Sequence, residues 1–142
     1  TVRVVTDSTA ALPAATAAAW GLTIVPTRVT LGGVSLPDGA LSLSELLARF
    51  DEGVSTSGPP PGAFAAAIEG ATDGAVIITV AANLSSSYKA AVAGAAILPE
   101  VPVRVVDSGS AAGAQALAAR HAAEVAARGG SLDEVEAERD AS

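Results

Sequence analysis

The sequence predicts an α/β fold, a mainly parallel sheet flanked by helices in a single domain of Rossmann-like topology. Three observations predict it. Along the 142 residues, β-branched apolar runs alternate with Ala-rich helical stretches, the pattern of strands joined by crossover helices. The run Val76-Ile77-Ile78-Thr79-Val80 is continuous rather than alternating, as in a strand covered on both faces. Gly and Pro punctuate the changes between segments.

Each element follows from local chemistry. Val2 to Val5 reads as a strand, bounded by the turn-prone Thr6-Asp7-Ser8-Thr9. Pro13 suits the first turn of a helix to about Trp20, and Gly21 suits its left-handed end. Leu22 to Leu31 reads as one extended stretch broken by Pro26. Ser42 and Glu45 have the spacing of a capping box, opening a helix to about Phe50. Val54 to Gly62 reads as a rigid loop feeding a helix from Pro61 to Glu69. Gly74 to Val80 is a strand, and Asn83 to Ser87 leads into a helix ending near Leu98. Val103 to Val106 is a strand, followed by a long helix to Arg128 that Gly129-Gly130 ends. Ser131 and Glu134 repeat the capping-box spacing and start a last helix through Glu138. That helix meets no stop signal before Ser142.

Composition narrows the function classes. Fifteen acids against eight bases give a net charge of −7, which disfavours a phosphate-backbone partner or an anionic lipid surface. With no cysteine and one histidine, cysteine-ligated metal centres and multi-histidine sites are excluded, and no cofactor is expected. Four aromatic residues in all are too few for base-stacking platforms. The apolar runs are too short to span a bilayer. The chain opens on a strand with neither a signal-peptide pattern nor an initiator Met, so a trimmed cytoplasmic protein is expected.

Ligands of open α/β sheets bind beyond the carboxyl ends of the strands. Four segments expected there share hydroxyl groups: Thr6, Asp7, Ser8 and Thr9; Ser55, Thr56 and Ser57; Thr79, Asn83, Ser85, Ser86 and Ser87; Asp107, Ser108 and Ser110. Hydroxyls beside helix N-termini suit a small anionic group. No phosphate-type glycine loop follows any strand, and Lys89 stands about a turn into its helix. A single carboxylate fits better than a triphosphate or dinucleotide. Ser and Thr before helices also serve simply as caps, and spacing leaves both readings open. Asp7 and Asp107, both at strand ends, suit either an alternative small enzyme of phosphoryl transfer or hydrolysis, or the closing of turns. His121 falls mid-helix, away from any strand end, so no Ser-His-Asp triad is expected.

Taken in order, four segments resemble the DegV family of bacterial fatty-acid-binding proteins. They are Val5-Thr6-Asp7-Ser8-Thr9-Ala10-Ala11-Leu12-Pro13, Thr56-Ser57-Gly58-Pro59 with Pro61-Gly62-Ala63-Phe64, Leu84-Ser85-Ser86-Ser87-Tyr88-Lys89-Ala90-Ala91, and Val105-Val106-Asp107-Ser108. The resemblance implies a lipid carrier, with no catalysis of its own, whose Thr56 and Ser85 hold a long-chain fatty acid by its carboxyl group. Ser57, Ser86, Thr6, Asp7 and Ser8 stand around that site. It implies as partner a separate fatty acid kinase, which phosphorylates the carboxyl group while the carrier holds it. Two segments depart from the family pattern: Ser86 stands where Gly is usual, and Gly58 and Pro60 stand where Gln and Ser are. The resemblance also implies a second domain that closes over the acyl tail. Residues 1–142 then read as the N-terminal domain alone, open to self-association through an uncovered face.

Overall fold

Strand β1 (Arg3–Asp7) pairs in parallel with β2 (Leu22–Val25) on one side and β6 (Ala75–Thr79) on the other. This computed structural model describes residues 1–31, 34–37, 54–83 and 85–137. Strand β7 (Val103–Asp107) completes a parallel four-stranded sheet of order β2-β1-β6-β7. The α/β fold with a parallel sheet flanked by helices is therefore as the sequence predicts.

Helices α1 (Ala14–Ala19), α2 (Pro61–Ile68), α3 (Ser87–Ile97), α4 (Ala112–Ala127) and α5 (Leu132–Ala137) cover the sheet. Alternate residues of each strand face opposite sides. Val4, Val76, Ile78 and Val106 pack with Ala118, Ala119, Ala122 and Ala126 of α4 and with Val135 of α5. Val5, Val25 and Ile77 pack on the other side with Phe64 and Ile68 of α2 and Ala90 and Ala91 of α3. All five residues of β6 are buried, which explains its uninterrupted apolar run. Glycine lets α2 and α3 lie close: a Cβ on Gly94 of α3 would come 2.5 Å from the Pro61 carbonyl oxygen and 2.8 Å from the Phe64 Cβ of α2.

The boundaries hold with instructive exceptions. Gly21 and Gly129 adopt φ of +72° and +83°, the left-handed conformation open to glycine at a helix end. The predicted capping box at α5 forms reciprocally. Ser131 N donates to Glu134 Oε1 at 3.0 Å, and Glu134 N donates to Ser131 Oγ at 3.2 Å. The helix expected from Ser42 to Phe50 lies outside the described residues.

The extended stretch from Leu22 to Leu31 is two strands in two sheets. Pro26 and Thr27 separate β2 from β3 (Arg28–Leu31), the middle strand of an antiparallel sheet with β4 (Val34–Pro37) and β5 (Val54–Ser57). The loop expected from Val54 therefore begins as a strand. Val-Ser-Thr-Ser carries no apolar alternation, and its extended form comes from pairing with β3, with Thr56 opposite Val29.

The connections set the place for a ligand. β1 leads outward to β2, whereas β6 leads the other way to β7. The carboxyl ends of β1 and β6 therefore flank a topological switch point, where open α/β sheets form a crevice.

Candidate ligand-binding site

Asp7 closes that switch point from within. It is fully buried, and its Oδ2 accepts a hydrogen bond from Val80 N, at the end of β6, at 2.9 Å. Its Oδ1 accepts from Thr9 N at 3.1 Å and Gln115 Nε2 at 2.9 Å, and the Thr9 hydroxyl also bonds to it. Thr6, equally buried, donates from Oγ1 to the Ile78 carbonyl at 2.7 Å and accepts from Gln115 Nε2 at 2.9 Å. Both side chains are thus engaged inside the fold. At the next strand end, Asp107 Oδ1 accepts from Ala82 N at 3.2 Å and Gly109 N at 2.8 Å. These are the turn-closing bonds that Asp supplies at strand ends.

Ser8 faces the second sheet. After β1 the chain makes a 3-10 turn, Ser8–Ala10. Ser8 Oγ accepts from Thr27 N at 2.9 Å and lies 2.9 Å from Thr27 Oγ1. Thr27 immediately precedes β3, so this contact ties the antiparallel sheet to the parallel one.

The hydroxyl-bearing loops after β5 and β6 meet. Thr56 and Ser57 end β5, and their backbone lies opposite Val29 and Arg28; their side chains lie outside the described residues. Beyond them, a Cβ on Gly58 would come 2.9 Å from Ser86 Oγ, 2.9 Å from Ser87 N and 3.0 Å from Ser87 Oγ. The Thr-Ser-Gly segment therefore runs directly over the start of α3. The two departures from the family pattern face each other here, Gly58 lacking a side chain where Ser86 brings one.

At the same helix start, Ser85 Oγ accepts from Ser87 N at 3.2 Å and lies 3.2 Å from Ser87 Oγ. Ser86 occupies the N-cap position of α3 but makes no capping bond through its side chain, and it is exposed. Pro60 at α2 and Ala111 at α4 make none either. The first N–H of α3 is met instead by Ser85, one residue before the N-cap. Ser85, Ser86 and Ser87 thus gather at the start of α3, with Gly58 lying against the last two.

Other residues are placed away from it. His121 lies on α4 as the sequence predicts, half-buried, its Nδ1 enclosed without a hydrogen-bond partner. A shallow groove of about 560 Å³ runs from Ser8 along α1 and β2 past Leu12, Leu22 and Ile24.

Sequence reasoning missed Gln115. It is fully buried on α4, and its amide bonds Thr6, Asp7 and Thr9 together. The available signal was its spacing from Ala118, Ala119 and Ala122, which puts a polar side chain on the buried stripe of the helix.

Comparison with known proteins places this arrangement. A family profile described as "uncharacterised protein, DegV family" matches residues 1–141. A DegV domain-containing protein of Streptomyces coelicolor is 43% identical over 141 residues, covering 94% of this chain and 50% of its own. One of Mycobacterium tuberculosis is 36% identical over 140 residues, covering 95% and 49%. The chain therefore spans about half the length of the curated relatives it matches. Among solved structures, a DegV-family protein of Thermus thermophilus described for its fatty acid binding is 31% identical. It superposes with a TM-score of 0.82 over 98% of this chain and 52% of its own. DegV of Bacillus subtilis, described as a fatty acid binding protein, is 25% identical with a TM-score of 0.88, over 98% and 52%. By its profile, its relatives and its fold, the chain belongs to the DegV family.

Proposed function

We propose that this chain binds a long-chain fatty acid by its carboxyl group, through Thr56 and Ser85, as a carrier and not as a catalyst. The observation that carries the reading is the meeting of Gly58 with Ser86 and Ser87. It brings the Thr56 and Ser85 segments to one place at the carboxyl edge of the sheet. Neutral hydroxyl and N–H donors suit a carboxylate, which accepts several such bonds. The Thermus thermophilus and Bacillus subtilis relatives, both described as binding fatty acid, support the ligand class.

The carrier presents the head group to a separate fatty acid kinase, which transfers phosphate to the carboxyl group. Ser57, Ser86 and Ser8 border the head group, whereas Thr6 and Asp7 shape the edge from inside. The setting is the cytoplasm; among the described residues no helix is long and apolar enough to cross a membrane. Residues 1–142 supply the acid-binding domain, and a second domain of the relatives' length covers the tail. The uncovered face lets this domain self-associate when alone.

Native mass spectrometry after gentle purification tests the reading. A protein containing this chain is expected to carry a fatty-acid adduct that the double substitution Thr56→Ala, Ser85→Ala removes. Retention of the adduct by a folded double variant would overturn it.

A further inference from the structure

We propose that Gln115 is a positioning residue for the acid-binding site, the node to which both of its loops are tied. The inference rests on the reading of that site given above.

The Gln115 amide is fully buried and fully used. Nε2 donates to Thr6 Oγ1 and to Asp7 Oδ1, each at 2.9 Å, and Oε1 lies 2.8 Å from the Thr9 hydroxyl. A carboxylate only accepts, so the nitrogen must face Asp7, and the amide orientation is fixed by chemistry. Gln115 thereby holds the end of β1 and the 3-10 turn that follows it against α4.

From this node one branch reaches Ser85. Asp7 Oδ2 accepts from Val80 N, where the chain leaves β6 toward the serines at the start of α3. The other branch reaches Thr56. Within the turn that Gln115 and Asp7 pin at Thr9, Ser8 bonds Thr27 through both its backbone N and its Oγ1. Thr27 leads into β3, and β3 sets the register of β5 with Val29 opposite Thr56.

The two branches matter because the sheets they join are separate. β3, β4 and β5 form their own sheet, and among the described residues no strand ladder runs from it to β2-β1-β6-β7. The spacing between the Thr56 and Ser85 segments therefore rests on the short chain links at residues 26–27 and 58–60, on side-chain ties and on the contact at Gly58. A donor set for one carboxylate must be held to a fraction of an ångström. A leucine at 115 fills similar space but can bond none of Thr6, Asp7 or Thr9, which loosens both branches at their common root.

The test separates positioning from folding and from the identity of the ligand. In the 142-residue chain without ligand, Gln115→Leu is expected to move the amide resonances of Thr27, Gly58 and Ser86. Those of Phe64 and Ala91, in the opposite core, should stay in place. With carboxyl-labelled 13C oleate as probe, the same substitution in a protein of the relatives' length that contains this chain is expected to weaken binding at least tenfold and to shift the bound carboxyl resonance. A lower melting temperature with unchanged Thr27 and Gly58 resonances and unchanged oleate affinity means a structural role only and overturns the inference. Should Gln115→Leu not fold, Ser8→Ala, which leaves the core intact, is read by the same resonances: no shift at Gly58 overturns the inference. Thr56→Ala tests the ligand reading separately. If it leaves oleate binding unchanged, the proposed head-group site is wrong, and the ligand-free resonances alone decide the role of Gln115.

Discussion

Gly58 and Ser87 touch across the candidate site: a Cβ on Gly58 would lie 2.9 Å from Ser87 N and 3.0 Å from Ser87 Oγ. The distance to the Ser87 backbone is shorter than a Cβ tolerates, and the distance to its hydroxyl is tight. Gly58→Ala must therefore push the segment after β5 away from α3. Overpacking of this kind costs roughly 1–3 kcal/mol. The expected outcome is a lowered melting temperature and, by titration, a fatty-acid affinity reduced about tenfold or more.

Single hydroxyl removals should affect ligand more than fold. Ser85 Oγ bonds both the backbone N and the hydroxyl of Ser87, and each such bond lost costs about 0.5–1.5 kcal/mol. Ser85→Ala is expected to lower stability by an amount of that order in urea denaturation while fatty-acid retention falls sharply. An equal loss of retention is expected for Thr56→Ala.

Gly94 is a test of packing alone. A Cβ there would stand 2.5 Å from the Pro61 carbonyl oxygen, so α2 and α3 must separate. Gly94→Ala is expected to destabilise by about 1–3 kcal/mol despite alanine's better helix propensity, measured by urea denaturation.

The capping box at α5 makes a pH-dependent contribution. Bonds from the backbone N–H and side chain of Ser131 hold the Glu134 carboxyl below its ordinary value. A folded-state value below the unfolded one means the ionised form favours folding. That stabilisation is complete above the unfolded value and is lost as pH falls through the lowered folded value. Glu134→Gln, which removes the titrating carboxyl, is expected to flatten this part of the stability profile in acid titration followed by circular dichroism.

Chain length sets the last expectation. Burial of an acyl chain contributes about 0.8 kcal/mol per CH₂, and the relatives are about twice as long as residues 1–142. Residues 1–142 alone are expected to bind oleate much more weakly than a protein of the relatives' length. Tight stoichiometric binding by the 142-residue chain, seen by calorimetry, contradicts this.

Local chemistry was legible wherever one residue's own needs decide the backbone. Gly21, Gly129 and the Ser131–Glu134 pair ended or opened helices where they were expected to, and the apolar run of β6 announced its burial. The turns after β1, β6 and β7 were legible as belonging to one edge, because parallel strands bring their carboxyl ends together. Strand β5 was not, since Ser55, Thr56 and Ser57 become a strand only by pairing with β3. Nor was Gln115, whose three partners lie about a hundred residues away in sequence.

The α/β class and the run of strands and helices along the chain followed from the sequence by itself, because periodicity and backbone conformation are properties of neighbouring residues. The tertiary structure alone decided that Gly58 lies on Ser87, that Asp7 turns inward to Val80 and Gln115, and that Ser8 ties the turn after β1 to the start of a second sheet at Thr27. Each of those relationships joins segments distant along the chain, and only the packing of the whole fold brings them within bonding reach.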